Sequence, residues 1–275
     1  RYLVIAIGVM MIIIIPVAVS VHTVVSWIFA MTLREPWNNP MFGAFFVAGA
    51  IYSGIATIII VMAILRKAYH LEEYITHQHF INLGYMLGGF TLIMMYFNVL
   101  EFVTVGYKLA GDAEEHFYQL FTGALAPYFW FYTLGGMVLP GLIILVPWTR
   151  TLAGILVASV LVDIGMWAER YFIVVGGTRL PTMPYEFSNY FPTWVEWSIM
   201  VGAFAGFALI ITIAVKLLPV IAIWEVADHH EEKYGEEEEA APLRREPSAP
   251  TYEPLRPPER VPAIPQRGRI GERQP

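Results

Sequence analysis

The chain contains no cysteine, which excludes disulfides, thiolate-held iron–sulfur clusters and c-type haem attachment by this polypeptide. Charge is scarce as well: Asp, Glu, Lys and Arg make up 15% of the 275 residues, against about 25% in soluble domains. Histidine is thin where a haem would need it. A b-type haem takes two axial ligands at matching depth, and His22 alone among the seven histidines falls well inside an apolar run. The segments around His22 and His79 also lack a second ligand at i+3 or i+4, so no metal site is expected. His70, His77, His79 and His116 fall in or beside loops, where solvated or partner-facing roles are expected.

Apolar residues dominate: 57% of the chain is hydrophobic, 15% is aromatic and the mean hydropathy is +0.56. Runs such as YLVIAIGVMMIIIIPVAVSVHTVVSWIFAM exceed the roughly 20 residues that cross a hydrocarbon core of about 30 Å. The expected fold is an all-α polytopic membrane protein with spans at about 2–32, 41–65, 79–107, 120–146, 151–175 and 194–218, including a four-helix bundle. The opening run is too long for a signal peptide and lacks a small-residue cleavage site. Residue 1 is Arg rather than Met, and the chain is expected to begin inside a longer one.

From Trp224 the composition turns acidic and proline-rich, so 224–275 is expected to be a disordered, solvent-side tail following a transmembrane domain at 1–223. Arg1, Arg66, Lys67, Arg150, Lys216 and the tail arginines share one side if six spans alternate. The positive-inside rule then makes the tail cytoplasmic and turns the loops at 33–40, 108–119 and 176–193 outward. Within the last loop, YEFSNYF is the best candidate to dock an outer-face partner.

Ionisable groups inside the spans are functional candidates by default. VDIGMWAERYF at 162–172 contains Asp163, Glu169 and Arg170. The i, i+4, i+7 spacing of Asp163, Trp167 and Arg170 puts them on one helical face, a polar stripe that Ser159 extends, while Glu169 turns about 120° away. A carboxylate near mid-bilayer costs at least about 2.5–3.5 kcal/mol, so Asp163 needs a cation, hydrogen bonds or protonation. His22 and Glu101 lie on the outer halves of the first and third spans. Each also has a plain structural alternative: an interhelical hydrogen bond for Asp163, an interfacial anchoring pair for Glu169 and Arg170, a local backbone bond for His22, and proximity to the interface for Glu101. The small residues of GAFFVAGAIYSGIA (43–56) read as helix-packing positions.

SVHTVVSWIFAMTLREPWNNPMFGAFFVAGAIYSGIATIIIVMAILRK (20–67), APYFWFY (126–132), VDIGMWAERYFIVV (162–175) and LLPVIAIWEV (217–226) together resemble the second half of the NrfD/polysulfide-reductase membrane-subunit family. The likeness is greatest to the ActC-type subunit of alternative complex III, and it covers nearly all of 1–226. The resemblance implies about four further spans ahead of this sequence and a fold of two four-helix bundles with additional helices. It also implies quinol (menaquinol or ubiquinol) as substrate, electron transfer to an iron–sulfur subunit, and cytochrome c and second NrfD-like membrane subunits as partners in a bacterial cytoplasmic membrane.

By motif, the resemblance marks His22, Asp163, Glu169 and Arg170 as members of a proton route, with Glu101 added from its depth. Trp27, Trp167 and Tyr171 are candidate quinone-lining residues, though aromatic belts at the interface also place Trp and Tyr there. The resulting expectation is a subunit of a quinol-oxidising enzyme complex that conducts protons. Two alternatives stay open: a proton-coupled transporter or channel subunit, which predicts broken helices around a midplane cavity where the spans here read as uninterrupted, and a structural membrane anchor. No nucleic-acid role is indicated.

Overall fold

The computed structural model describes residues 2–34, 36–109, 111–180 and 190–217. The tail at 224–275 and most of the YEFSNYF segment lie outside them. The chain divides into two units, Arg1–Phe207 and Ala208–Pro275, and the helical bundle with its cavities lies wholly in the first. Among the described residues every regular element is helical.

Six helical stretches among these residues are long and apolar enough to span a membrane: Ile5–Ala30, Phe42–Ala68, His77–Lys108, Ala126–Leu145, Leu152–Arg179 and Trp194–Leu217. The elements are α1 (Tyr2–Ala30), α2 (Phe42–Ala68), α3 (His77–Lys108), α4 (Asp112–Phe121), α5 (Ala126–Trp130), α6 (Leu139–Leu145), α7 (Leu152–Arg179) and α8 (Trp194–Leu217), with a π-helical segment Phe131–Val138 joining α5 to α6. Local sequence fixes several ends. Thr151 caps α7 by accepting from Gly154 N at 3.1 Å, and Arg66, Lys67, Lys108 and Arg179 occupy last turns, where the helix dipole favours cations.

Four spans, α2, α3, the α5–α6 span and α7, pack around a shared core that contains Tyr52, Ile59, Phe80, Leu87, Met94, Tyr132, Ile155 and Val162. The buried positions of α7, including Ile155, Ser159, Val162, Met166, Glu169 and Phe172, repeat every three to four residues and form one stripe. The tightest approach is between Gly136 and Gly165. A Cβ on Gly136 would lie 2.6 Å from the Gly165 Cα, so the α5–α6 span and α7 meet backbone to backbone. In a bilayer, where lipid is as apolar as leucine, such close packing is a main source of helix association.

The α5–α6 span is uninterrupted from Ala126 to Leu145, as expected, but its middle is in π rather than α register. Pro140 has no N–H, so the Gly136 carbonyl four residues earlier lacks its α-helical donor. The π-helical segment begins before this point, and the Tyr52 hydroxyl of α2 donates to Gly136 O at 3.2 Å. Thr91 of α3 in turn donates to the Tyr52 oxygen at 3.2 Å. A freed carbonyl inside a membrane helix needs such a partner.

Helix α1 packs on α2, where Gly43 admits Trp27, Thr23 and Ser26. The α1–α2 loop folds over one end of the bundle: Trp37 donates to Ile173 O at 2.9 Å and lies against Gly177, and Arg34 reaches Leu180 O at 3.3 Å. Helix α4 closes the same end against α3, α5 and α7.

Candidate functional site

Glu169 is fully buried and faces the bundle core from α7. It lies ten residues before Arg179, about 15 Å from the helix end. Its burial places it inside the bundle rather than on the exposed surface of α7. A carboxylate taken out of water requires a cation and hydrogen bonds, and Arg170 supplies the cation at 3.2 Å.

Arg170 is directed along α2. Its guanidinium lies 4.3 Å from the centroid of the Phe46 ring, a cation–π contact. It also crosses Gly49, where a Cβ would lie 2.9 Å from its Nη2. Gly49, one of the small residues in GAFFVAGAIYSGIA, therefore makes room for a charged side chain as well as for a helix.

Polar groups lead away from the pair in two directions. Tyr132, completely buried in the π-helical segment, is within electrostatic reach of Glu169, Arg170 and Tyr52. Asn98 donates to the Tyr132 oxygen at 2.8 Å. Beyond Asn98, a cavity of about 60 Å³ is bordered by Asn98, Glu101, His116 and Phe172. Asn39 of the α1–α2 loop donates a hydrogen bond to Glu101. In the other direction, Tyr52 is within electrostatic reach of Asp163, which accepts from Thr57 Oγ1 at 3.2 Å.

A second cavity, about 290 Å³, opens beside Arg170 and is bordered by Trp167, Tyr171, Glu196, Trp197 and Met200. Its walls are stacked aromatics: Trp167 and Tyr171 lie 5.9 Å apart at 27°, Trp167 and Trp197 6.0 Å apart at 33°. The Trp167 indole N–H points to Met200 Sδ at 3.0 Å. Planar aromatic walls, with the Arg170 cation as a donor and the Glu196 carboxylate as an acceptor at the edge, suit a flat ring bearing oxygen groups.

The residues singled out from sequence thus divide. Glu169 pairs with Arg170, Asp163 accepts from Thr57, Glu101 accepts from Asn39, and Trp167 and Tyr171 line the aromatic cavity beside Arg170. His22 is exposed on α1 and bonds to Ala18 O, at 2.8 Å, in its own helix. Among the described residues no hydrogen bond or ion pair joins it to Asp163. Trp27 is exposed and packs near Gly43, away from the aromatic cavity. Of the polar stripe expected through Ser159, Asp163, Trp167 and Arg170, Ser159 is buried in the core while the other three flank it, and Glu169 is the charge that enters the core, because it shares the register of Val162, Met166 and Phe172.

Sequence reasoning missed Tyr52, Tyr132, Asn98 and Thr57. The available signal was a hydroxyl or amide falling in the buried register of an apolar helix, where it must find a partner. His116 is a correction: expected to be solvated or partner-facing, it is buried where α4 meets α3 and α7.

Burial pushes the His116 imidazole down to about 4, from an ordinary value of about 6.5. Charged groups near it are Glu101 from α3 and Arg179 from α7, while Glu115 on α4 turns to Gln119 at 2.9 Å. A depressed histidine value leaves docking of α4 unaffected above about 6.5 and weakens it as the unfolded form gains protons toward about 4. Amide hydrogen exchange of Asp112–Phe121, corrected for intrinsic rates, is expected to quicken across that window, and His116→Gln to remove the pH dependence.

The sequence matches the family model described as Polysulphide reductase, NrfD, over residues 2–181. It is 28% identical over 148 residues to the menaquinone reductase integral membrane subunit of Nitratidesulfovibrio vulgaris, covering 50% of this chain and 34% of that protein. It is 28% identical over 239 residues to a protein of Halobacterium salinarum described as a membrane subunit of dimethyl sulfoxide reductase, covering 74% and 52%. With the Hdr-like menaquinol oxidoreductase integral membrane subunit of Archaeoglobus fulgidus it shares 25% over 236 residues, covering 77% and 58%. The aligned part spans between a third and three fifths of these relatives' lengths. With six candidate spans, a four-helix core and the family match running from α1 to the end of α7, the chain belongs to the NrfD polysulphide reductase family of membrane proteins.

Proposed function

We propose that this chain is an integral membrane subunit of a quinol-oxidising respiratory complex of the alternative complex III type, and that its bundle conducts the protons released. The observation that supports this reading most is the buried Glu169–Arg170 pair, with an aromatic cavity on one flank and a run of polar side chains on the other. Two of the relatives are named for menaquinone or menaquinol chemistry.

Oxidising a quinol removes two electrons and two protons, so acceptors for both are required. In this reading the ring enters between Trp167, Tyr171 and Trp197, and Arg170 orients an oxygen at its edge. The cavity of about 290 Å³ holds a ring rather than a whole isoprenoid quinol, whose tail extends into lipid. Glu169 takes up a proton, and Asp163 with Thr57 and Glu101 with Asn39 extend the route. Electrons pass to an iron–sulfur subunit and onward to cytochrome c subunits, alongside a second NrfD-like membrane subunit. The membrane is the bacterial cytoplasmic membrane, with residues 224–275 on the cytoplasmic side as the basic residues at 66, 67, 150 and 216 suggest.

The test is quinol oxidation and proton release by the reconstituted complex carrying Asp163→Asn, with assembly verified by the stoichiometry of its subunits. Lower turnover or fewer protons released per quinol in an intact complex is the expected result; unchanged values for both would make Asp163 structural. The π-helical segment at Phe131–Val138, a local irregularity in mid-span, favours a second reading, a proton-coupled transporter subunit. That reading predicts proton flux in the absence of quinol, measured in the same vesicles.

A further inference from the structure

We propose that the cavity between α3, α4 and α7 is a hydrated outlet of the proton route, and that His116 relays protons through its outer wall. This rests on the proton-route reading above and adds a site and a residue to it.

The cavity can hold water. Its volume of about 60 Å³ exceeds the roughly 10–15 Å³ that one water requires, and a stable water also needs two to four polar partners. Asn98, Glu101 and His116 provide them amid the apolar side chains of Phe42, Phe45 and Phe172. The cavity meets the bundle interior at Asn98, which donates to Tyr132 at 2.8 Å, and Tyr132 and Glu169 are both fully buried there.

His116 stands between this cavity and a smaller one. A space of about 10 Å³ on the other side is bordered by His116, Gln119, Gly176, Arg179 and Leu180, at the bundle end. A Cβ on Gly176 would lie 3.4 Å from His116 Cε1 and 3.9 Å from Nδ1, so this edge of the ring is turned toward the smaller space. A neutral imidazole has one N–H and one free nitrogen. It can bind a proton from cavity water at one nitrogen and release the proton of the other to solvent water at the bundle end, past Gln119 and Arg179, after which tautomer exchange restores it. No bond other than N–H and O–H is made or broken. The burial that holds this ring neutral at pH 7 keeps that nitrogen available.

Asn39 of the α1–α2 loop holds Glu101 in the cavity wall. Its Oδ1 accepts from Met41 N at 2.9 Å, which orients the side-chain amide so that its N–H meets Glu101.

The experiment uses the intact complex in proteoliposomes. His116→Ala is expected to slow quinol oxidation at least about tenfold, toward the lower side of what losing a positioned proton carrier costs. Millimolar imidazole should restore much of the rate by occupying the space left. His116→Gln, which fills that space, should assemble and stay slow without responding to imidazole. A wild-type rate in His116→Ala, or a loss that imidazole does not relieve in an assembled complex, overturns the outlet. Glu169→Gln in the same vesicles separates the two levels: slow turnover there with a wild-type rate in His116→Ala sinks the outlet alone, and wild-type rates in both sink the proton route with it.

Discussion

Replacing Gly165 by alanine is expected to leave the subunit largely unassembled. The new methyl group would be driven into the backbone of Gly136 on the α5–α6 span, and backbone, unlike a side-chain end, cannot turn aside. Overpacking of a tight core costs about 1–3 kcal/mol or more, and this site belongs at the upper end because both partners are glycine. Separating the two spans would also loosen Tyr52 from Gly136 O and Tyr132 from Asn98. Gly54→Ala on α2 is the matched control, since a Cβ there meets nothing within 4 Å. Thermal unfolding of the detergent-solubilised complex, read alongside subunit stoichiometry, should show a large loss for Gly165→Ala and little change for Gly54→Ala. Equal stability of the two variants would refute the backbone contact.

The second large effect is expected at Arg170. Arg170→Met leaves Glu169 fully buried without its cation. Removing one member of a buried pair typically costs about 3–5 kcal/mol, and the low end applies because Arg170 is 31% exposed. Turnover should fall with stability. Glu169→Leu combined with Arg170→Met should recover most of the stability, because an apolar pair of similar volume replaces a desolvated ionic one. Turnover should stay low in the double variant. That split between stability and activity distinguishes a working ion pair from one that only holds helices together, and recovery of both together would mark a structural pair.

The fold class was legible because lipid leaves a chain few choices: every backbone polar group must be satisfied within a span, so long apolar runs become helices. The six runs and the small-residue segment of α2 could be recognised from spacing and composition alone. The same spacing puts Asp163 and Arg170 on a common face, but it does not say that this face flanks the core while Glu169 enters it. What decides the matter is which neighbours α7 meets. Its stripe from Ile155 to Phe172 is mostly small or apolar and includes Glu169 in register, a regularity visible in the sequence but outweighed by the more conspicuous Asp163.

The π turn in the fourth span was less legible. Pro140 announces a lost hydrogen bond, but which hydroxyl answers it depends on the tertiary approach of Tyr52. His116 was hidden for a related reason. Its short helix has no membrane-length apolar run, and only the closure of the α1–α2 loop and α4 over the bundle end takes it out of water.

The π-helical segment at Phe131–Val138 has a consequence for how this span can change over time. A π-helical turn amounts to an α-helix holding one residue more than its hydrogen-bond ladder needs. Loss of one residue there would let the ladder close in the α register and leave the span intact. The flanking halves would keep their present faces, because the bulge is what absorbs the surplus residue. A deletion elsewhere in the span has no such slack and would rotate everything beyond it by about 100°, turning Ile144 from the core. The π turn is therefore the one place in this helix where its length can change without changing what it faces.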